Sequence, residues 1–179
     1  MQDNYYLYER FHFPNDPIWH AACLGNITEM NILYNKGYKL YVHCAYTAAL
    51  DVNIPMLEWL FEREGVPNSF IQMHAVSSRK IIGDPENVKN LYHWQEKTII
   101  VLEWLKSKNI DSNGSIPIQY AASVDNILAL EWIKNNHTKF FCYPGYDGIK
   151  ENLEKLGLKE TPGIKWLDEN KKMFNNMDH

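Results

Sequence analysis

Apolar and polar positions along the chain repeat a pattern in which a pair of alanines precedes a longer apolar run. Ala21-Ala22 is followed by Gly25-Asn26-Ile27 and a run of apolar residues. Ala48-Ala49, which begins 27 residues further on, is followed by Asn53-Ile54 and the run LEWL at 57–60. The spacing of the apolar residues predicts a short first helix centred on the alanines and a longer apolar second helix in each copy.

Two further copies and a looser fifth one extend this pattern. In the third copy Ala75-Val76 takes the place of the alanines. Its LEWL, at 102–105, begins 18 residues later than the spacing in the second copy predicts. The fourth copy has Ala121-Ala122 and LEWI at 130–133, and IKWL at 164–167 is the looser echo. Neither helix of a copy buries its apolar face alone, so the pattern predicts an all-α solenoid of four to five stacked helical hairpins.

In each copy the first helix carries small residues and the second carries large ones, and helix packing explains this difference. Two helices approach closely where their side chains are small, and Leu and Trp on the second helix fill the gap to the next copy. One repeat-equivalent position carries a tryptophan in four copies, at Trp59, Trp104, Trp132 and Trp166. We expect these rings to pack in the core rather than to form an aromatic cage for a cation.

An insertion in the third repeat, residues 80–97, breaks the regular spacing. Asp84-Pro85-Glu86 is a helix start signal, and no Gly or Pro follows until Gly114, which predicts a long helix ending near Lys108. Insertions in repeat proteins are often recognition sites, but they are also tolerated as surface loops, and the residues do not decide between these roles.

Three consecutive aromatic residues lie in the insertion, namely Tyr92, His93 and Trp94. Neighbouring residues of a helix point about 100° apart, so at least one of these rings should be exposed. Exposed Tyr and Trp are common at binding hot spots, which makes Tyr92 and Trp94 candidate protein-binding residues.

The sequence also allows predictions for the segments outside the repeats. Residues 1–15 are rich in aromatic residues and are expected to cap the first repeat, with self-association as the alternative. The repeat domain is expected to cover residues 16–170, which leaves 171–179 as a C-terminal tail.

Composition and charge narrow the class of protein. The 179 residues are 45% apolar and carry a net charge of −4, which predicts a globular chain and disfavours nucleic acid as a partner. No run approaches the roughly 18 apolar residues of a membrane span. Three cysteines form no paired framework, and the start MQDNYYLYER has no secretion signal, so we expect a cytoplasmic protein.

The sequence patterns that would indicate metal binding or catalysis are weak. His20 and Cys23 form an HxxC pattern and His43-Cys44 are adjacent, but no CxxC accompanies them, so we expect no metal ion and no cofactor. No base or orienting carboxylate is placed beside a cysteine, so no enzymatic activity is expected. Three glutamates recur with the repeat and are interpreted as a solvated helix edge, namely Glu58, Glu103 and Glu131.

The first copy resembles the ankyrin repeat. The residues 16–22, DPIWHAA, followed by Gly25-Asn26-Ile27 and a helix-like run to Gly37, are similar to that family's TPLHxAA, its GH and its leucine-rich helix ending in Gly. Pro17, repeated as Pro117, would lie in the first turn of the first helix. The composition, rich in Asn, Lys, Ile and Tyr, resembles that of ankyrin-type proteins of large DNA viruses, which implies a host cytoplasm.

The chain also departs from the ankyrin pattern. The family's period is about 33 residues, and the shortfall falls on YKLYV at 38–42, which leaves no room for a β-hairpin finger. Other residues replace the family's histidine, at Trp19, Tyr46, Met73 and Gln119.

The resemblance implies a non-enzymatic protein–protein interaction scaffold that binds a partner through a concave face. The family's variable positions correspond to residues before the first helices, at Asn15, Val42, Ser69 and Ser115. They also correspond to residues after the alanines, at Cys23, Leu24, Leu50, Asp51, Ser77, Ser78, Ser123 and Val124. The alternative is a structural protein that forms homo-oligomers through its N-terminal segment or its solenoid ends. The partner's identity does not follow from the residues.

Overall fold

The computed structural model describes residues 16–64, 88–110, 115–136 and 145–174. In these ranges the chain forms nine α-helices, one 3-10 helix and no β-strand, which confirms the all-α class. The α-helices are α1 (Pro17–Cys23), α2 (Ile27–Asn35), α3 (Val42–Leu50), α4 (Ile54–Glu64), α5 (Val88–Ser107), α6 (Ser115–Ser123), α7 (Ile127–Asn136), α8 (Tyr146–Lys155) and α9 (Pro162–Glu169), and the 3-10 helix is Lys171–Phe174.

The chain divides into two compact units, unit 1 (Met1–Pro67) and unit 2 (Asn68–His179). In unit 1, α1 packs against α2 and α3, and α3 packs against α4. In unit 2, α6 packs against α7, α8 and α9, while α5 packs against α7. The first helix predicted for the third copy, around Ala75-Val76, lies outside the described residues. Each of the other copies forms a helical hairpin.

The start of α1 confirms the expected role of proline. Pro17 is the first residue of the helix, where its missing N–H leaves no intrahelical bond unmade. Asp16 precedes it as the N-cap, and its Oδ1 accepts the backbone N–H of Ile18 at 3.0 Å. Pro117 lies likewise in the first turn of α6.

The alanine pair and the asparagine build the same turn between the two helices in the first, second and fourth copies. The backbone N–H of the asparagine donates to the carbonyl of the first alanine, at 2.9 Å for Asn26, 2.8 Å for Asn53 and 2.8 Å for Asn126. The residue before each asparagine has a left-handed backbone and donates to the carbonyl of the second alanine. These residues are Gly25 (φ 65°), Val52 (φ 56°) and Asp125 (φ 56°).

The asparagine side chain then caps the second helix. Its Oδ1 accepts a backbone N–H three residues ahead, at 3.1 Å in each of the three turns. The recurring sequence of two alanines and an asparagine therefore supplies both the C-cap of the first helix and the N-cap of the second. It reverses the chain within a few residues at Asn26, Asn53 and Asn126.

The recurring tryptophan links the second helices of successive copies. The indole N–H of Trp59 donates to Oδ1 of Asn31 in α2 at 3.0 Å. In unit 2, Trp132 donates to Glu103 of α5, and Trp166 donates to Glu131 of α7. In each pair the acceptor is the residue just before the tryptophan position of the preceding copy. We call this series of bonds the tryptophan ladder.

Burial of the tryptophans confirms core packing in three of the four copies. Trp59, Trp104 and Trp166 are buried, whereas Trp132 is only half-buried. One close contact between helices lies where small residues meet. A Cβ on Gly163 of α9 would come within 2.2 Å of the carbonyl oxygen of Ala122 in α6.

The long helix predicted for the insertion is confirmed as α5, which spans 20 residues and ends close to the predicted position. Gln95 and Thr98 of this helix are buried. The amide of Gln95 donates to the backbone carbonyl of Asp125 at 2.8 Å, and the buried Asn126 donates to Thr98 at 3.4 Å. The C-terminal end of the insertion and the residue after it are therefore fixed to the α6–α7 turn.

Candidate binding surface on the first helices

The exposed apolar residues of unit 1 include a group on its two first helices. Trp19 and Cys23 lie four residues apart on α1, and Tyr46 and Leu50 hold the equivalent positions on α3, all four partly exposed. Because α1 and α3 pack against each other, equivalent positions face the same side. Leu24, directly after α1, is 80% exposed. We call these five residues the apolar face.

The equivalent positions of α6 in unit 2 are polar or buried. Gln119 stands where Trp19 and Tyr46 stand in unit 1, and its Oε1 accepts the Asn152 amide of α8 at 3.3 Å. Ser123 donates its hydroxyl to the carbonyl of Tyr120 at 2.7 Å, and Val124 is only 5% exposed. At equivalent repeat positions, unit 1 therefore has partly exposed apolar side chains, whereas unit 2 has polar or buried ones.

The predicted binding residues are distributed unevenly over the structure. Cys23, Leu24 and Leu50 belong to the apolar face, and Asp51 is exposed directly after it. Tyr92 and Trp94 lie on the α5 helix, but their side chains are outside the described part. Ser77 and Ser78 also lie outside the described residues. Ser123 and Val124 have the positions given above, in unit 2.

Both cysteines of unit 1 are held in the protonated state. Burial raises the pKa of the Cys44 thiol to about 11. Burial also raises the pKa of Cys23, against a lowering hydrogen bond from Thr47, and the nearby charge of Asp51 raises it further. A nucleophilic or metal-binding cysteine requires a thiolate, so both thiols lack the electrostatic environment of a reactive site.

Metal ligands do not cluster in the described part of the chain. Within the ranges given above, no three His, Cys, Asp or Glu side chains come together in a way that suits a metal ion. Burial lowers the pKa of His43, which keeps its imidazole neutral at physiological pH. His20 is exposed at the edge of α1, where its ring contacts Trp19 edge-on with 5.2 Å between ring centroids.

A polar cluster of titratable groups lies where α8 meets α9. The Lys150 ammonium is 2.7 Å from Oδ1 of Asp168, and the hydroxyl of Tyr146 also donates to that carboxylate. The bond from Lys150 lowers the pKa of Asp168, while burial and the bond to Asp168 raise the pKa of Tyr146. The bonds of this cluster hold α8 against α9. The pKa shifts keep each group in its ordinary charge state, so the cluster offers no general acid or base near neutrality.

The C-terminal residues extend this cluster. Lys171 lies 4.4 Å from the centroid of the Tyr146 ring and 3.7 Å from Asp147. Phe174 is buried, and its ring centroid is 6.0 Å from that of Tyr146. The first residues of the segment predicted to be a tail are thus packed on α8.

Sequence reasoning missed the role of the recurring glutamates. Glu103 and Glu131 were expected to form a solvated helix edge, and Glu131 lies 3.9 Å from the exposed Lys134. Each of them also accepts a tryptophan N–H from the next copy. The signal that indicates this role is the constant order of Glu and Trp in the second, third and fourth copies, which puts an acceptor beside a donor in each of them.

Comparison with protein-family models, with curated proteins and with solved structures gives no match for this chain. Among the helices that the structure describes, none has both the length and the apolar character that crossing a membrane requires.

Proposed function

We propose that this protein is a non-enzymatic protein-binding scaffold, and that it binds its partner through the apolar face of unit 1. The observation that carries the proposal is the contrast between the units at equivalent positions. Unit 1 has the partly exposed rings of Trp19 and Tyr46 and the exposed Leu24, where unit 2 has a hydrogen-bonded glutamine and a buried valine. A packing role would not need large apolar side chains on an exposed surface, whereas a binding surface does.

The scaffold itself is proposed to be built from ankyrin-like helical hairpins in each unit. The same turn occurs at Asn26, Asn53 and Asn126, and the tryptophan ladder recurs in each unit, which supports one repeating architecture. The connection from α2 to α3 contains no strand, in agreement with a repeat that has lost its finger. Circular dichroism of the full chain should be strongly helical with little strand; a substantial strand content would contradict a repeat of this kind.

Affinity capture from the source cell tests the binding function. The bait is the full chain, compared with a Trp19→Ser/Leu24→Ser variant and with Leu156→Ser as the matched control. Leu156 is 68% exposed on unit 2, so its replacement removes a comparable apolar surface elsewhere. A partner that the wild type and the control retain and the double variant loses supports the proposal. Equal capture by all three baits contradicts it.

Two residues argue against self-assembly through the ends of the stack. Lys165 holds the acceptor position of the last copy, just before Trp166, and a lysine cannot accept an indole N–H. Ile32 holds the tryptophan position of the first copy and has no donor to offer, with 43% of its surface exposed. We therefore expect the purified chain to be a monomer by light scattering. A concentration-dependent oligomer would favour the structural alternative instead.

A further inference from the structure

The connection between α2 and α3 carries positive charge in a chain whose net charge is −4. Lys36 and Lys39 are exposed there, and the sequence contains no Asp or Glu between Glu29 and Asp51. Within the ranges that the structure describes, neither lysine forms an ion pair. Both ammonium groups can therefore bind a negatively charged ligand.

Hydrogen bonds to the last turn of α2 hold the backbone of this connection. Gly37 has a φ of 90° and donates its N–H to the carbonyl of Tyr34 at 2.9 Å, and Tyr38 donates to the carbonyl of Leu33 at 3.1 Å. This is the helix C-cap in which glycine is preferred. A Cβ on Gly37 would meet no atom within 4 Å, so the surface of the turn is open to a ligand.

An exposed tyrosine lies between the two lysines. Tyr38 is 42% exposed. Its hydroxyl can donate to a carboxylate, and its ring can pack on apolar atoms of the same ligand. We call Lys36, Tyr38 and Lys39 the basic patch. Its chemistry suits a peptide that carries carboxylates beside apolar residues.

The basic patch leads along the chain into the apolar face. The connection ends at the start of α3, which bears Tyr46 and Leu50 of that face. This helix has nine residues and is about 13 Å long. An extended peptide of about seven residues spans roughly 24 Å, which is enough to contact both surfaces. At the start of the neighbouring α1, the carboxylate of Asp16 is bonded within its own helix, to the N–H of Ile18.

We propose that the partner segment that docks on the apolar face carries Asp or Glu at the end nearest the α2–α3 connection, and that these carboxylates bind the basic patch. This inference rests on the proposed function. The carboxylates would pair with the two lysines and accept a hydrogen bond from Tyr38, while the apolar residues pack on the apolar face. A basic segment at this end would instead meet two ammonium groups of like charge.

Selection of peptides from a random display library tests the inference. The immobilised wild-type chain is the target, and peptides that also bind the Trp19→Ser/Leu24→Ser variant are discarded because they dock elsewhere. We expect the remaining peptides to be enriched in Asp or Glu on one side of an apolar segment. Peptides with Arg or Lys in that place, or with no charge, would overturn the inference.

The contribution of the basic patch is measured with two double variants of equal charge. Lys36→Gln/Lys39→Gln should weaken binding of the selected peptide about fivefold to tenfold, as for two exposed ion pairs, and less at high salt. The control, Lys159→Gln/Lys165→Gln, removes the same charge from two exposed lysines of unit 2 and should leave binding unchanged. Tyr38→Phe should weaken binding about threefold through loss of one hydrogen bond. Circular dichroism of each variant checks that the helices persist.

The outcomes separate this inference from the proposed function. If the peptides depend on Trp19 and Leu24 but bind the Lys36→Gln/Lys39→Gln variant as well as the wild type, the inference is overturned and the scaffold proposal stands. Equal losses in the two double variants would show an effect of net charge alone, which also overturns the inference. A single-stranded DNA oligonucleotide that displaces the peptide at a lower concentration than the unlabelled peptide itself would do the same. If no selected peptide depends on Trp19 and Leu24, the proposed binding surface is overturned, and the inference falls with it.

Discussion

The indole N–H of Trp132 donates to the carboxylate of Glu103, which precedes it by 29 positions and lies on the second helix of the preceding copy. Charge-assisted bonds of this kind are stronger than bonds between neutral groups and are more directional than apolar packing. With its counterparts at Trp59 and Trp166, this bond fixes the register between neighbouring helices. The ladder therefore sets how each second helix is aligned on the one before it, while the apolar core supplies most of the stability.

Two of the recurring tryptophans should differ in their contribution to stability. Trp104 is 7% exposed, so Trp104→Ala should lower the free energy of unfolding by about 3–5 kcal/mol. Trp132 is half-buried, so Trp132→Ala should lower it by only about 1–2 kcal/mol. Urea denaturation monitored by circular dichroism measures both values. Equal losses for the two variants would contradict the burial described above.

Gly163→Ala should destabilise the protein, although alanine is the better helix former by about 1 kcal/mol. The added Cβ would lie 2.2 Å from the carbonyl oxygen of Ala122, so α9 would have to move away from α6. Overpacking of this kind commonly costs about 1–3 kcal/mol. The control is Lys165→Ala, an exposed change on the same helix, which should alter the thermal midpoint little. A rise in the midpoint for Gly163→Ala would show that the two helices are further apart.

Val52→Gly should stabilise the protein by about 1 kcal/mol, because a β-branched residue is strained at its φ of 56° and glycine is not. Asp125 has the same φ but accepts the backbone N–H of Gly163 at 2.8 Å through its side chain. Asp125→Gly should therefore gain nothing or lose stability. Thermal melts of the two variants test this difference, and a destabilised Val52→Gly would refute the strain argument.

Cys44 should make stability depend on pH in the alkaline range. Its folded pKa of about 11 lies above the unfolded value near 8.5, so its contribution is fully present below about pH 8.5. That contribution is lost as the pH rises from there toward 11, and by linkage the loss is roughly 2–3 kcal/mol. Comparing wild type with Cys44→Ala isolates it from other titrating groups. The expectation fails if both proteins lose the same stability between pH 8 and pH 11.

Local patterns in the sequence predicted a large part of this fold. The helical spacing of apolar residues, the proline at the start of α1 and the helix-forming run of the insertion all act within a few residues, so they can be read directly. They were sufficient for the all-α class, for the four hairpins described and for the length of α5.

Contacts between distant residues were not predictable in the same way. The bond from Gln95 to the carbonyl of Asp125 joins residues 30 positions apart, and no local pattern marks Gln95 as a buried residue. The apolar face was only partly anticipated, since Leu24 and Val124 hold equivalent positions with 80% and 5% exposure. Which copy exposes its side chain depends on the elements that pack beside it, and the repeat pattern is the same for both.

The order of residues in LEW also bears on how such an array can grow. A duplicated hairpin that contains LEW brings a glutamate acceptor and a tryptophan donor together, so it bonds to the copies on both sides wherever it is inserted within the array. A hairpin added beyond α9 would instead face Lys165, which accepts no N–H. The ladder can therefore be extended by hairpins placed between existing copies, whereas its bonds do not continue past Lys165.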